Sequence, residues 1–181
     1  MVPYDPTIHH RRSIRLQEYD YRQAGAYFVT VCADRHALVF GEIVDDTMRL
    51  NAYGQIVIED WEWLAGHHES VELDAFVVMP NHLHGIIVIT GGEGGSRTAP
   101  TKPLGRLIGA FKTVSTKHVN EWRETPGVTL WQRNFHEHII RNGDDLDRIR
   151  AYIATNPARW SRDAEYRSYR RFVNRPPRHA V

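Results

Sequence analysis

Two apolar runs, Ala75-Phe76-Val77-Val78-Met79 and Leu83-His84-Gly85-Ile86-Ile87-Val88-Ile89-Thr90, stand on either side of Pro80-Asn81-His82. Both have strand length, and Pro-Asn is a natural tight turn, so the stretch reads as an antiparallel hairpin. Toward the N-terminus, Tyr27-Phe28-Val29-Thr30-Val31-Cys32 is β-branched and aromatic, a further strand. Leu38 to Leu50 reads as a short hairpin turning at Asp45-Asp46. Asn51 is a candidate cap for a helix in which Tyr53, Val57, Trp61 and Leu64 recur at helical spacing. The Trp residues there read as core.

Toward the C-terminus, Gly91-Gly92-Glu93-Gly94-Gly95-Ser96 lacks the Lys-Ser/Thr ending of a phosphate loop and reads as a linker. Leu104, Leu107, Ile108, Phe111, Val114 and Val119 mark an amphipathic helix of about five turns. Phe135 to Ile140 is strand-like. Asp144 is a plausible cap for a helix from Asp145 to about Asn156, and Pro157 biases Asn156 out of the α region. Apart from the small hairpin, the order is β-α-β-β-α-β plus one helix. That is an α+β, ferredoxin-like antiparallel sheet with helices on one face and an additional C-terminal helix bearing Tyr152. Its first and third core strands are expected in the middle of the sheet.

The 181 residues suffice for one domain with a real core. We divide them into a basic arm over 1–25, a single domain over 26–163 and a basic tail over 164–181. No run approaches the roughly 20 apolar residues of a membrane span. The N-terminus lacks a signal-like apolar region, and the single Cys32 fits a reducing compartment, so the expected location is cytoplasmic. The net charge of +1 hides a split, with −9 over residues 36–96 and +9 over residues 97–181. Of the 23 basic side chains 20 are Arg, suited to bidentate phosphate contact, so the asymmetry hints at a polyanion partner.

His82-Leu83-His84 opens the central strand, where alternation places both imidazoles on one face. A hydrogen-bonded structural pair and half of a metal site both fit that spacing. Tyr152 and Asn156, four apart, share one helix face beside the apolar stripe of Leu146, Ile149 and Ile153. Together the four make chemical sense. Two nitrogens and an amide oxygen suit a divalent ion, which can grip a phosphodiester oxygen. A tyrosine oxygen is a competent covalent nucleophile, and an ester to it stores the energy of the broken bond.

These residues resemble those of the single-tyrosine HUH transposases, and most closely the REP-associated tyrosine transposases of bacteria. The matching stretches are Glu18-Tyr19-Asp20-Tyr21 with Gly25 to Thr30, Val77 to Ile86, Trp131 to Phe135 with His138 to Arg141, and Tyr152-Ile153 with Asn156-Pro157. The similarity covers residues from about 11 to 163. The resemblance implies that His82 and His84 are the His–hydrophobic–His pair, Tyr152 the nucleophile and Asn156 the third ligand of Mg²⁺ or Mn²⁺. It implies cleavage and rejoining of single-stranded DNA beside palindromic hairpins, through a 5′-phosphotyrosine, with no small-molecule cofactor and no membrane. Some relatives carry glutamine where this chain has Asn156; the shorter side chain requires the helix to lie closer to the strand. The protein is expected to act as a monomer or homodimer. Arg11, Arg12, Arg15, Arg133, His138, Arg141 and Arg148 are the expected DNA contacts.

His136-Glu137-His138 is a second His-x-His and departs from the pattern at His136; a DNA-contacting or structural role outweighs a second metal site there. His67-His68 stand at a helix end, where they suit the helix dipole. The competing reading is a nonenzymatic single-stranded nucleic-acid-binding module on the same fold. Such modules carry stacking aromatics where this chain has histidines.

Overall fold

The computed structural model describes residues 23–90, 103–163 and 165–168. The expected arm over 1–25 lies almost wholly outside them, with Arg11, Arg12 and Arg15. So do the glycine-rich linker and all of the 164–181 tail except 165–168.

The main elements among the described residues follow in the order β1 (Gly25–Cys32), β2 (Gly41–Val44), β3 (Thr47–Leu50), α1 (Ala52–His67), β4 (Val71–Met79), β5 (His82–Ile89), α2 (Leu104–Trp122), β6 (His136–Ile140) and α3 (Gly143–Thr155). Four of the strands form one antiparallel sheet in the order β4-β5-β1-β6. The first and third core strands, β1 and β5, are thus central, as the βαββαβ reading requires. No helix among the described residues is long and apolar enough to cross a membrane.

The sheet has two differently covered faces. Odd-numbered side chains of β1 and β5, among them Tyr27, Val29, Val31, Leu83 and Ile87, pack with Val57, Trp61 and Leu64 of α1 and Leu107 and Phe111 of α2. Full burial of each such side chain contributes about 1.5–3 kcal/mol. Gly85 serves this face by what it lacks: a Cβ there would lie 2.4 Å from Cζ2 of the fully buried Trp61. The even-numbered face is covered by α3, where Ile149 and Ile153 pack on Ile86, flanked by Ala26, Phe28 and Val88. The C-terminal helix therefore lies on the sheet face opposite α1 and α2.

Local chemistry explains the element ends. Asp45 and Asp46 both take positive φ, 49° and 58°, as a two-residue turn matched to strand twist requires. Asn51 caps α1, accepting from Gly54 N at 3.0 Å, and His67 Nδ1 lies 3.0 Å from the Trp63 carbonyl at its other end. Ser115, rather than the expected Val114, fills the buried turn of α2, because its hydroxyl accepts from the Trp131 indole at 2.9 Å.

Three further expectations need correction. α3 is capped by Asn142, whose side chain accepts from Asp145 N at 2.9 Å, so the helix begins ahead of Asp144. Asn156 stays in the α region (φ −60°, ψ −43°) despite Pro157, and the chain runs on into a 3-10 helix over Pro157–Arg162. The proline lacks an N–H that the helix end does not need, so the turn tightens instead of breaking. Finally, β4 begins at Val71, with a register slip between Leu73 and Phe76. At the slip, Asp74 accepts from Ala75 N at 2.6 Å and from Arg150 Nε and Nη2 at 2.9 and 2.6 Å. This fork ties α3 to the sheet edge, and the guanidinium holds the Asp74 carboxyl below its usual range.

Candidate active site

His82 and His84 open β5 directly after the Pro80-Asn81 turn, on the face covered by α3. Their rings are 4.3 Å apart and both are buried. The turn is pinned from outside, since Val39 N and Phe40 N donate to Pro80 O and Ala33 N donates to Asn81 O.

Asn81 settles the protonation of His82. Its Nδ2 donates to two carbonyls, His36 O at 3.2 Å and Glu165 O at 3.1 Å. Only an amide nitrogen can satisfy both, so Oδ1 must be the atom 2.8 Å from His82 Nδ1. The imidazole donates there from Nδ1, leaving a lone pair on Nε2. That Nε2 is buried and has no hydrogen-bond partner. Burial pushes the His82 pKa down to about 3, with His36 adding to the shift, so the ring is neutral at ordinary pH. His84 is pushed well below the usual histidine range by burial and by His82. Its Nδ1 lies 2.8 Å from Thr30 Oγ1, the cross-strand partner on β1.

α3 and the 3-10 helix bring the other candidates to the same place. The Tyr152 hydroxyl lies 3.2 Å from His84 Nε2 and 3.4 Å from Asp163 Oδ2. Its ring meets Phe28 edge-on at 6.0 Å and is 37% exposed, so the phenol spans from solvent to the buried histidines. Burial and then Asp163 push its pKa up to about 12. Asn156, one turn on, is buried; its Nδ2 donates to Asp163 Oδ2 at 3.4 Å, and its Oδ1 has no partner. Tyr152, Asn156, His82 and His84 thus lie on one side of one sheet, within one chain.

Asp163 is the residue the sequence reading missed. One carboxylate oxygen, Oδ1, accepts from Glu165 N at 2.7 Å and caps the following turn, while Oδ2 faces Tyr152 and Asn156. A ligand atom of Asp163 lies within 4.8 Å of those of His82 and His84. The local signal was an Asp two residues before Glu165, a cap pattern, but its partners are distant in sequence. Among the described residues His82 Nε2 and Asn156 Oδ1 have no hydrogen-bond partner; such buried lone pairs are donors of the kind a hard or borderline divalent ion takes, and the Asp163 carboxylate beside them adds negative charge. The residues present fit such an ion.

A cavity of about 590 Å³ opens at Tyr152, lined by Phe28, His138, Arg148, Thr155 and Arg159. His138 Nε2 lies 2.8 Å from Asp145 Oδ2, and Arg148 pairs with the other oxygen of the same carboxylate. Two of the expected DNA contacts, His138 and Arg148, therefore gather beside Tyr152, and Arg159 joins them unforeseen. Arg133 does not; it lines a separate cleft with Lys112 and Thr116 of α2. Arg141 is exposed between β6 and α3. His136 and His138 share a face with Thr30 and Phe28, their partners in register, but among the described residues they form no cluster of three ligand atoms; Asp145 meets His138 alone.

Several known proteins are similar to this chain. A Haemophilus influenzae protein of uncharacterized function is 38% identical over 176 residues, covering 90% of this chain and 97% of its own. A second protein of that organism, provisionally named a REP-associated tyrosine transposase, is 26% identical over 167 residues, 85% of each chain. Among solved structures, a REP-associated tyrosine transposase bound to a REP hairpin superposes with a TM-score of 0.59 at 22% identity, over 81% of this chain and 73% of its own. No protein-family model matches the chain. In sequence the chain is thus similar to a protein provisionally named a REP-associated tyrosine transposase, and it shares the fold of a solved one.

Proposed function

We propose that this protein cleaves and rejoins single-stranded DNA beside a palindromic hairpin, with Tyr152 as the nucleophile. The observation that carries the reading is the gathering of the Tyr152 hydroxyl, His84 Nε2, His82 and Asp163 Oδ2, with Asn156 on the same carboxylate, beside an arginine-lined cavity that opens at Tyr152. The solved relative bound to a REP hairpin supports the choice of substrate.

In this reading the Tyr152 oxygen forms a bond to the scissile phosphorus, and the bond from phosphorus to the 3′ oxygen of the upstream nucleotide breaks. The 5′ phosphate stays on Tyr152 and a 3′ hydroxyl departs. The tyrosine proton must go somewhere, because a phenol with a pKa near 12 is protonated at neutral pH. Asp163 Oδ2, at 3.4 Å, is placed to accept it and to return it to the departing 3′ oxygen. Attack by another 3′ hydroxyl on the phosphotyrosine reverses the steps and rejoins the strand. His82, His84 and Asn156 would hold Mg²⁺ or Mn²⁺, which when bound offsets charge on the phosphate oxygens. Arg148 and Arg159 would grip flanking phosphates, and Phe28 offers an apolar floor for a base. In this reading all of these groups come from one chain and the tyrosine acts in cis.

The test is a labelled hairpin oligonucleotide with a single-stranded flank, incubated with Mn²⁺ and either the protein or its Tyr152→Phe variant. A covalent adduct on a denaturing gel that requires Tyr152 is expected. Equal binding by both proteins with no adduct from either identifies a nonenzymatic binding module instead.

A further inference from the structure

A second cluster of ligand-type side chains lies next to the first and has no part in the proposed chemistry. Cys32 ends β1 opposite His82 in register, on the same face as Thr30. The chain then turns through Asp34–His36, with Arg35 and His36 at φ 53° and 55°, and brings His36 back beside Cys32. Glu165, from the helical turn after Asp163, completes the group. Ligand atoms of Cys32, His36 and Glu165 all lie within 4.8 Å of one another.

The three ligand atoms are close enough together to share one ion after a small adjustment. His36 Nδ1 is buried and lies 3.0 Å from Glu165 Oε2, yet the two do not form a hydrogen bond. A tetrahedral ion with bonds of about 2.0–2.3 Å separates its ligands by about 3.3–3.8 Å. Asn81 supports the arrangement independently of the three ligand side chains: its Nδ2 donates to both the His36 and the Glu165 carbonyl, fixing the two segments side by side.

We propose that Cys32, His36 and Glu165 bind a second divalent ion of the zinc class, distinct from the ion at His82, His84 and Asn156. One thiolate, one imidazole and one carboxylate select a borderline ion such as Zn²⁺ over Mg²⁺. A fourth position is left for water. The ion straps the 165–168 turn to the end of β1. Because Asp163 is two residues from Glu165, the strap sets how closely Asp163 approaches Tyr152 and Asn156. The binding does not depend on the DNA chemistry proposed above.

Cys32 is the sole cysteine, which makes the test specific. The full chain is titrated with CoCl₂ and read by absorption, with bound ions counted after equilibrium dialysis against ZnCl₂. The expected result is a thiolate-to-cobalt charge-transfer band and two Zn²⁺ per chain. Cys32→Ser should lose the band and one ion. Glu165→Gln, at a less buried position, should weaken the band's titration by about tenfold or more. His82→Ala with His84→Ala should keep the band and lose the other ion. Absence of the band from the intact chain at saturating Co²⁺ overturns the proposal, whether or not a variant folds.

Discussion

The most informative single position is Asn81, because one buried amide serves both candidate ion sites. Asn81→Ala removes three hydrogen bonds: the acceptor 2.8 Å from His82 Nδ1 and the donations to His36 O and Glu165 O at 3.2 and 3.1 Å. Leaving a buried group unpaired costs about 1–3 kcal/mol. With water entering the vacated space, the loss in stability should be about 3 kcal/mol. The effect on ion binding is separable. An outer-shell partner that fixes a ligating imidazole is worth about 10–100-fold in affinity, or about 1.4–2.7 kcal/mol. Isothermal titration with Mn²⁺ should therefore show that loss in Asn81→Ala. Asn81→Asp keeps an oxygen facing His82 Nδ1 but turns a carboxylate toward two carbonyls. It should lose stability while holding Mn²⁺ within about threefold of the native affinity. Circular dichroism first establishes that each variant is folded. A folded Asn81→Ala protein with native Mn²⁺ affinity, or an Asp variant as weak as the Ala variant, refutes the assignment of the His82 tautomer.

Three other expectations concern different parts of the molecule. Gly85→Ala puts a methyl 2.4 Å from a rigid indole and should cost about 1–3 kcal/mol in urea unfolding; a change under about 0.5 kcal/mol would mean Trp61 moves freely. The Asp74 carboxyl is held low by Arg150, so its contribution is complete above about pH 4 and fades as pH falls toward the lowered folded value. The stability gap between the native protein and Asp74→Asn should accordingly shrink only below about pH 4, and a gap that is flat through acid pH would contradict the pairing. Finally, Arg148→Ala and Arg159→Ala should each weaken hairpin binding and reduce the log–log salt slope by about one; unchanged slopes would place the DNA elsewhere.

The fold was readable because it rests on short-range patterns. Strand-length apolar runs, an Asn cap at Asn51 and helical spacing in α1 and α2 all express local geometry, and they set the βαββαβ order. His82 with His84 and Tyr152 with Asn156 were each readable as a pair, since strand alternation and helix periodicity put each pair on one face; joining the two pairs rested on their chemistry and on the family resemblance. What escaped depends on contacts between distant segments. Asn81 reads as a turn residue until His36 and Glu165 are seen beside it. Asp163 reads as a boundary until the 3-10 helix after Pro157 folds it back onto Tyr152. Cys32 reads as a buried strand residue, and only the left-handed turn at Arg35 and His36 gives it neighbours able to bind an ion. The burial of Ser115 in place of Val114 was likewise set by a partner, the Trp131 indole.

The central claim is that Tyr152 carries the cleaved strand on its oxygen. Mass spectrometry of a protease digest, after reaction with a hairpin oligonucleotide and Mn²⁺, tests it most directly. The account predicts a nucleotide joined through its 5′ phosphate to the peptide containing Tyr152, and a free 3′ hydroxyl on the released strand. Attachment to any other residue, linkage through a 3′ phosphate, or cleavage with no adduct at any time point would contradict it.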